Sequence, residues 1–444
     1  MSGFARARRF VLEPWHLDDA TGRLRLPYRF DDEAPLVETI DLGAPAIPLD
    51  PTRRALAERL AAYLQAAAGV SYYKAKLPPV LDLAASGLDA AAAGFVQRLY
   101  VNGLGEFAHT NGLDLRGHID IVGVGPDLAP LRADLPHRAL VPVGGGKDSL
   151  VTVEALRRSC QDQTLFAVNP KGPILATMEA SGLPSLTVTR RLDPGLFALN
   201  AAGFWNGHVP ITAIVSLIAL LAAVWHGFDR VVMSNERSAD AANLVVDGFA
   251  VNHQWSKSWA FEQDLRAELA RAISPDLDWF SLLRPLSELA IARRFAAETR
   301  YDTSFSSCNR NFHLQGGGPA RRWCRDCPKC RFVFLALAPF VARPRLLAIF
   351  DGDLLDDPDQ TAGFAELAGL EGHKPFECVG ETGEAAAALL LLADRAEWAD
   401  RAVVRALAPQ LGPHRARLEA HLEVALRPEG PHAIPPDLSE VLAT

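Results

Sequence analysis

The stretch "RALVPVGGGKDSLVTVEAL", residues 138–156, constrains this chain more than any other. A short apolar strand runs into three glycines and a lysine, and a helix-forming segment follows. Glycines let backbone amides turn inward on an anion. The helix that follows offers its positive N-terminus to the same anion. Lys147 is expected to add a mobile cation and Ser149 a hydroxyl donor, while Asp148 can cap the helix or help bind Mg²⁺. Gly144, Gly145, Gly146, Lys147, Asp148 and Ser149 are therefore expected to hold phosphate. The loop is not a Walker A motif, which needs glycine at 141 and Ser or Thr at 148. Those positions are Val141 and Asp148. It is not a dinucleotide G-x-G-x-x-G either, because Lys147, Asp148 and Ser149 fill the second half.

Composition narrows the class. The chain has 444 residues, 49% hydrophobic and 22% charged, with a net charge of -8. That is a globular composition with room for two or three domains. An acidic balance argues against a nucleic-acid binder, which needs clustered Lys and Arg. Six cysteines do not make a disulfide scaffold at this length. No apolar run precedes Pro14, so no secretory signal is expected. The run "VPITAIVSLIALLAAVW", residues 209–225, sits at the lower limit for a membrane span. Between strand-like neighbours it reads as a buried helix. A cytoplasmic protein without membrane insertion is expected.

The chain opens as an antiparallel meander. "RLRLPYRF", residues 23–30, alternates charged and apolar residues as a half-buried strand does, with "FVLEPWHL" before it and "LVETIDL" after it. Helical segments follow at about 52–67 and 89–108, and a Gly/Pro-punctuated connection covers 118–134. From 138 onward strands alternate with helices: "RALVPV", "TLFAVNP", "SLTVTR" and "RVVMS". That order implies α/β architecture, a parallel sheet with helices on both faces. Ligands in such sheets sit at the carboxyl ends of the strands. The glycine turn, Asn169 and "SNERSAD" all fall there. Expected domains are therefore residues 1–135 (an α+β region of meander plus helices), 136–345 (the nucleotide-binding sheet) and 346–444 (mostly helical).

"SSCNRNFHLQGGGPARRWCRDCPKCRF", residues 306–332, groups Cys308, Cys324, Cys327 and Cys330. Spacings of two residues let tight turns aim three thiolates at one ion, with Cys308 completing a tetrahedral set for a structural Zn²⁺. An iron–sulfur cluster is the alternative. Arg310, Arg321, Arg322, Arg325 and Arg331 around it are either a solvated surface or an anion site.

The glycine loop resembles that of the PP-loop ATP pyrophosphatases, S-G-G-x-D-S, with Gly144 in place of the first serine. The resemblance implies a PP-loop parallel sheet over about 138–345. It also implies ATP bound through its pyrophosphate and attack of a substrate oxygen on the α-phosphorus. "NGHVPITAI" looks like the place where related enzymes carry a helix start near the nucleotide, so Asn206, Gly207, His208 and Thr212 are candidates. The cysteine spacing is similar to that of PP-loop enzymes that make a deazaguanine nitrile. "MSNERSADAANL", "VNHQWSKSWAFEQDL", "SLLRPLSELAIARRF" and "HKPFECVGE" extend the likeness over nearly the whole chain. Together they resemble a bacterial family of ATP-dependent epimerases acting on UDP-N-acetylmuramoyl-L-alanyl-L-glutamate in peptidoglycan synthesis. That resemblance implies ATP, Mg²⁺ and the UDP-muramoyl dipeptide as partners. Arg237, Ser238 and Lys257 are then candidates for substrate binding. Lys147, Asp148, Glu236, His253 and Cys378 are candidates for catalysis, and Asn169 and His208 for the nucleotide. Two rival readings are a PP-loop enzyme acting on tRNA or a modified base, and a zinc-stabilised ATP sensor without turnover.

Overall fold

The computed structural model describes residues 6–312, 321–372 and 374–442. The meander forms as expected: β1 (Arg9–Leu12), β2 (His16–Leu17), β3 (Arg23–Phe30) and β4 (Leu36–Asp41). In β3 the alternation is obeyed, with Leu24, Leu26, Tyr28 and Phe30 buried and Arg23 and Arg25 exposed. Helix α1 (Pro51–Lys76) starts at Asp50, whose carboxylate accepts the N–H groups of Thr52 and Arg53. It runs past the expected residue 67 to a left-handed Leu77. Strand β5 (Val80–Asp82) follows. The expected helix at 89–108 breaks at Leu104 into α2 (Ala90–Gly103) and α3 (Gly105–Thr110). The connection after it carries β6 (Asp120–Val122), which pairs parallel with β5.

The α/β segment then runs β7 (Ala139–Pro142), α4 (Lys147–Arg158), β8 (Gln163–Val168), α5 (Pro173–Ser181), β9 (Ser185–Arg191), α6 (Pro194–Ala201), α7 (Ile211–His226) and β10 (Arg230–Met233). A hairpin of β11 (Leu244–Val246) and β12 (Phe249–Val251) leads to α8 (Trp259–Glu268), β13 (Asp278–Ser281), α9 (Glu288–Phe295) and α10 (Pro328–Leu337). Beyond residue 340 the described elements are helical. Among the described residues no helix is long and apolar enough to cross a membrane. The apolar run at 209–225 is α7, packed on α1.

Eleven of the described strands form one sheet, ordered β13-β10-β7-β8-β9-β4-β3-β1-β5-β6, with β2 on β3. The half from β13 to β9 is parallel, and β4 joins β9 antiparallel. Meander and parallel half therefore share one sheet. At their seam Arg190 on β9 grips the buried Glu38 on β4 at 2.6 Å. Alternate residues of the parallel strands feed two cores. Leu140, Phe166, Val231 and Trp279 face α1, α7 and α8, while Val141, Leu165, Val232 and Phe280 face α4, α9 and α10. Each such fully buried side chain contributes about 1.5–3 kcal/mol. From β7 the chain steps through β8 to β9 on one side, and β10 and β13 lie on the other. Strand β7 is thus the switch point, where a crevice opens at the carboxyl ends of the strands.

Candidate active site

The glycine turn lies at that switch point. Gly145 has φ +77, a left-handed conformation that favours glycine. A Cβ on Gly146 would lie 2.6 Å from Ser307 Oγ. Gly144 is exposed and has nothing within 4 Å of its missing Cβ. Helix α4 begins at Lys147 with Gly146 as a cap that makes no side-chain bond, so its first amides face the crevice unblocked.

Lys147 departs from expectation. Rather than standing free in the loop it is 1% exposed, held between the carboxylates of Asp148 and Glu288. The reason is local charge density. Carboxylate oxygens of Asp148, Glu236 and Glu288 lie within 4.8 Å of one another, faced by Lys147, Lys257 and Lys329. Burial alone would discharge Lys147, but Asp148 and Glu288 outweigh it and push its pKa up. Burial raises the Glu288 carboxyl against the pull of Lys147. Asp148 is likewise opposed by burial, yet Lys147 holds it low. Glu236 and Glu288 are each 1% exposed. Among the described residues, Glu236 Oε2 and Glu288 Oε1 find no hydrogen-bond donor. Three hard oxygen donors, two with an oxygen to spare, suit a divalent cation such as Mg²⁺. Buried Arg284 fixes the loops around them. It donates to Glu262 Oε2 (2.9 Å), to the Glu236 carbonyl (3.0 Å) and to the Lys257 carbonyl (2.5 Å).

The crevice is a cleft of about 370 Å³ that runs from the glycine turn to Lys257, Lys329 and Cys378. Phe166, Ile174, Ile211, Val215 and Met233 make its apolar wall, and Thr212 lines it as well. At the far end Cys378 and His253 are neighbours that act on each other's charge, and the Lys329 ammonium donates to the Cys378 carbonyl. Burial opposes ionisation of Cys378, but Lys257 and His253 prevail and bring the thiol down to about 6. His253 is pushed up to about 9: burial works against the charge, while Cys378 and Glu106 favour it. Its Nδ1 pairs with Glu106 Oε2, and His208 Nδ1 lies 3.4 Å from the same oxygen. The two imidazole rings are 4.4 Å apart. Burial, then the neighbouring His253, holds His208 down at about 4.

Two family profiles match this chain, the MurL N-terminal domain over residues 1–282 and the MurL C-terminal domain over 304–422. The chain belongs to the MurL family. Proteins named UDP-N-acetyl-alpha-D-muramoyl-L-alanyl-L-glutamate epimerase resemble it over nearly its whole length. That of Xanthomonas oryzae pv. oryzae is 47% identical over 429 residues, 96% of this chain and 94% of the relative. That of a Micromonospora species is 48% identical over 441 residues, 98% and 97% of the two chains. That of Salinispora tropica is 46% identical over 443 residues, 98% and 95%.

In this MurL-family chain the four cysteines close on one point, their sulfurs within 4.8 Å of one another. Tetrahedral zinc with bonds of about 2.3 Å needs sulfurs about 3.8 Å apart. Cys324 and Cys330 are 3.7 Å apart, and Cys327 and Cys330 are 3.4 Å apart. The N–H groups of Asp326 and Cys327 point at Cys324 Sγ, and that of Cys330 at Cys327 Sγ. The donor set fits Zn²⁺, although residues 313–320 of the connecting loop lie outside the described residues. The group also walls the cleft. Ser306 N donates to Gly145 O at 2.9 Å, and Ser307, Asn309 and Lys329 line the cavity. The surrounding arginines are committed elsewhere: Arg310 and Arg331 to Asp326, Arg321 to Asp351, Arg322 and Arg325 to carbonyls.

Some expected residues do not reach the cleft. Arg237 turns away to the carbonyls of Pro285, Val424 and Glu429, because the chain after β10 folds back against the C-terminal helices. Ser238 donates to Glu384 and accepts the N–H of Glu288. Asn169 spends its amide on both backbone groups of Arg190, tying β8 to β9. Asn206 accepts from Lys74. Three residues were missed: Glu106, Glu288 and Lys329. Lys329 had a signal, a rare lysine between two clustered cysteines. Glu288 lies within "SLLRPLSELAIARRF", and nothing local marks Glu106.

Proposed function

We propose that this epimerase inverts the α-carbon of the terminal L-glutamyl residue of UDP-N-acetylmuramoyl-L-alanyl-L-glutamate, after ATP has adenylated that residue's α-carboxylate. One observation carries the reading: a single cleft joins a phosphate-type loop to a thiol held near pKa 6. A carbanion beside a carboxylate would place negative charge next to negative charge. Once the carboxylate is an acyl phosphate, its carbonyl can take that charge as an enolate, and a modest base suffices. Only the carboxyl on the inverted carbon can do this.

We assign the parallel half of the sheet as the PP-loop domain. Its apolar wall suits an adenine ring, and the turn Gly144–Ser149 with the N-terminus of α4 suits the pyrophosphate. Asp148, Glu236 and Glu288 would hold Mg²⁺, which supplies charge neutralisation for the phosphates. Lys257 binds the glutamyl carboxylate. Cys378 takes the α-proton as a thiolate, becoming the thiol while the C–H electron pair enters the enolate. A proton from solvent is returned to the other face, while the Lys329 ammonium, fixed on the Cys378 carbonyl, stays beside the thiol. Hydrolysis then releases AMP, and the Cys378 thiol gives its proton back to solvent. The test is chiral analysis of the glutamate after incubation with ATP, Mg²⁺ and the muramoyl dipeptide nucleotide, with pyrophosphate followed in parallel. D-glutamyl product with stoichiometric pyrophosphate is expected, and unchanged L-glutamate overturns the reading.

A further inference from the structure

Glu106 has no part in the chemistry above, yet it is the hub of the thiolate end. It sits on α3, 17% exposed, and its Oε2 faces Nδ1 of both His253 and His208. Rings 4.4 Å apart repel if both are charged. One carboxylate therefore supports one imidazolium. His253 takes that role because it alone of the two also feels the Cys378 thiol. With Nδ1 committed to Glu106, Nε2 is the nitrogen left for the thiol. Asn243 Oδ1 accepts the His253 backbone N–H at 2.9 Å and fixes the main chain beneath the ring.

We propose that Glu106, His253 and Cys378 form a relay in which Glu106 locks His253 as an imidazolium, and His253 holds Cys378 as the thiolate base. Glu106 is a positioning residue that touches no substrate. The order carboxylate–imidazole–nucleophile is the general logic by which a weak nucleophile is activated. Other charged groups face the pair. Lys257 and Lys329 face the thiol, and His208, itself beside Lys74, faces the imidazole. The lysines explain why some thiolate remains without Glu106. Only the use of the thiolate as α-carbon base rests on the epimerase reading. Its ionisation does not.

The experiment is the pH dependence of iodoacetamide alkylation of Cys378, followed by peptide mass spectrometry on the full zinc-loaded chain without ATP or substrate. Wild type, Glu106→Gln, Glu106→Asp and His253→Gln are compared. Glu106→Gln should raise the midpoint by about one pH unit, which slows alkylation about tenfold below the wild-type midpoint. His253→Gln should raise it at least as far, and Glu106→Asp should restore most of the wild-type profile. In turnover, Glu106→Gln should lower kcat with little change in KM. An unmoved midpoint in folded Glu106→Gln overturns the relay. If Glu106→Gln does not fold, the His253→Gln midpoint decides. A relay confirmed in the free protein, with no α-proton exchange in the wild type, would remove the epimerase reading and leave the relay standing.

Discussion

At the glycine-loop end of the cleft six consecutive residues, Gly144 to Ser149, supply the loop, and much of what they offer is backbone. At the thiolate end the groups arrive from segments far apart in sequence: Glu106 on α3, His253 and Lys257 after β12, Lys329 on α10, Cys378 beyond it. The first end is made by a local conformation. The second exists only once the whole molecule has folded. Backbone amides can hold an anion with no side chain involved, whereas a thiol at pKa 6 needs cations brought to it against the cost of burial.

That contrast can be broken by separating the two half-reactions. The largest effect is expected for Cys378→Ala: α-proton exchange in deuterated water falls about 10²–10⁴-fold, while pyrophosphate release with substrate persists. Loss of both together would mean that the two ends are not separable. Next comes Lys147→Met. It removes the cation bonded to both Asp148 and Glu288, leaving only the more distant Lys257 and Lys329, so urea unfolding should show a loss of up to about 3–5 kcal/mol. Pyrophosphate release should drop about 10²–10³-fold.

The smallest effect is the pH profile. If Cys378 is the thiolate base proposed above, kcat/KM falls as pH drops through about 6. If His253 is the imidazolium of the proposed relay, kcat/KM also falls as pH rises through about 9. Outside this window the change is about tenfold per unit, and the two groups titrate as a coupled pair. Stability follows the same signs. The depressed thiol contributes above its unfolded value of 9.0, a contribution lost as pH falls through about 6. The raised imidazole contributes below 6.5 and loses its contribution as pH rises through about 9. A flat profile across both limbs would sink the thiolate–imidazolium assignment.

The division between legible and illegible follows the same line. Strand β3 was readable because one face is buried and the side-chain period is two. The glycine turn and the cysteine group were readable because their atoms are neighbours in sequence. Helix α7 was readable from its length and its strand-like flanks. Glu106 was not, because its role comes from α3 meeting the segment after β12, a contact without local signature. Arg237 misled for the converse reason: it follows a strand end, but the fold turns its side chain to the C-terminal helices. The held position of Lys147 depends on Glu288, far along the chain.

The sequence order of the cleft has one more consequence. Lys147 lies in the segment matched by the MurL N-terminal domain, and Lys329 and Cys378 in that matched by the C-terminal one. A ribosome makes the glycine loop long before it reaches the thiol. On the proposed chemistry, a chain stalled or clipped ahead of residue 378 can at most spend ATP; it can never invert a carbon.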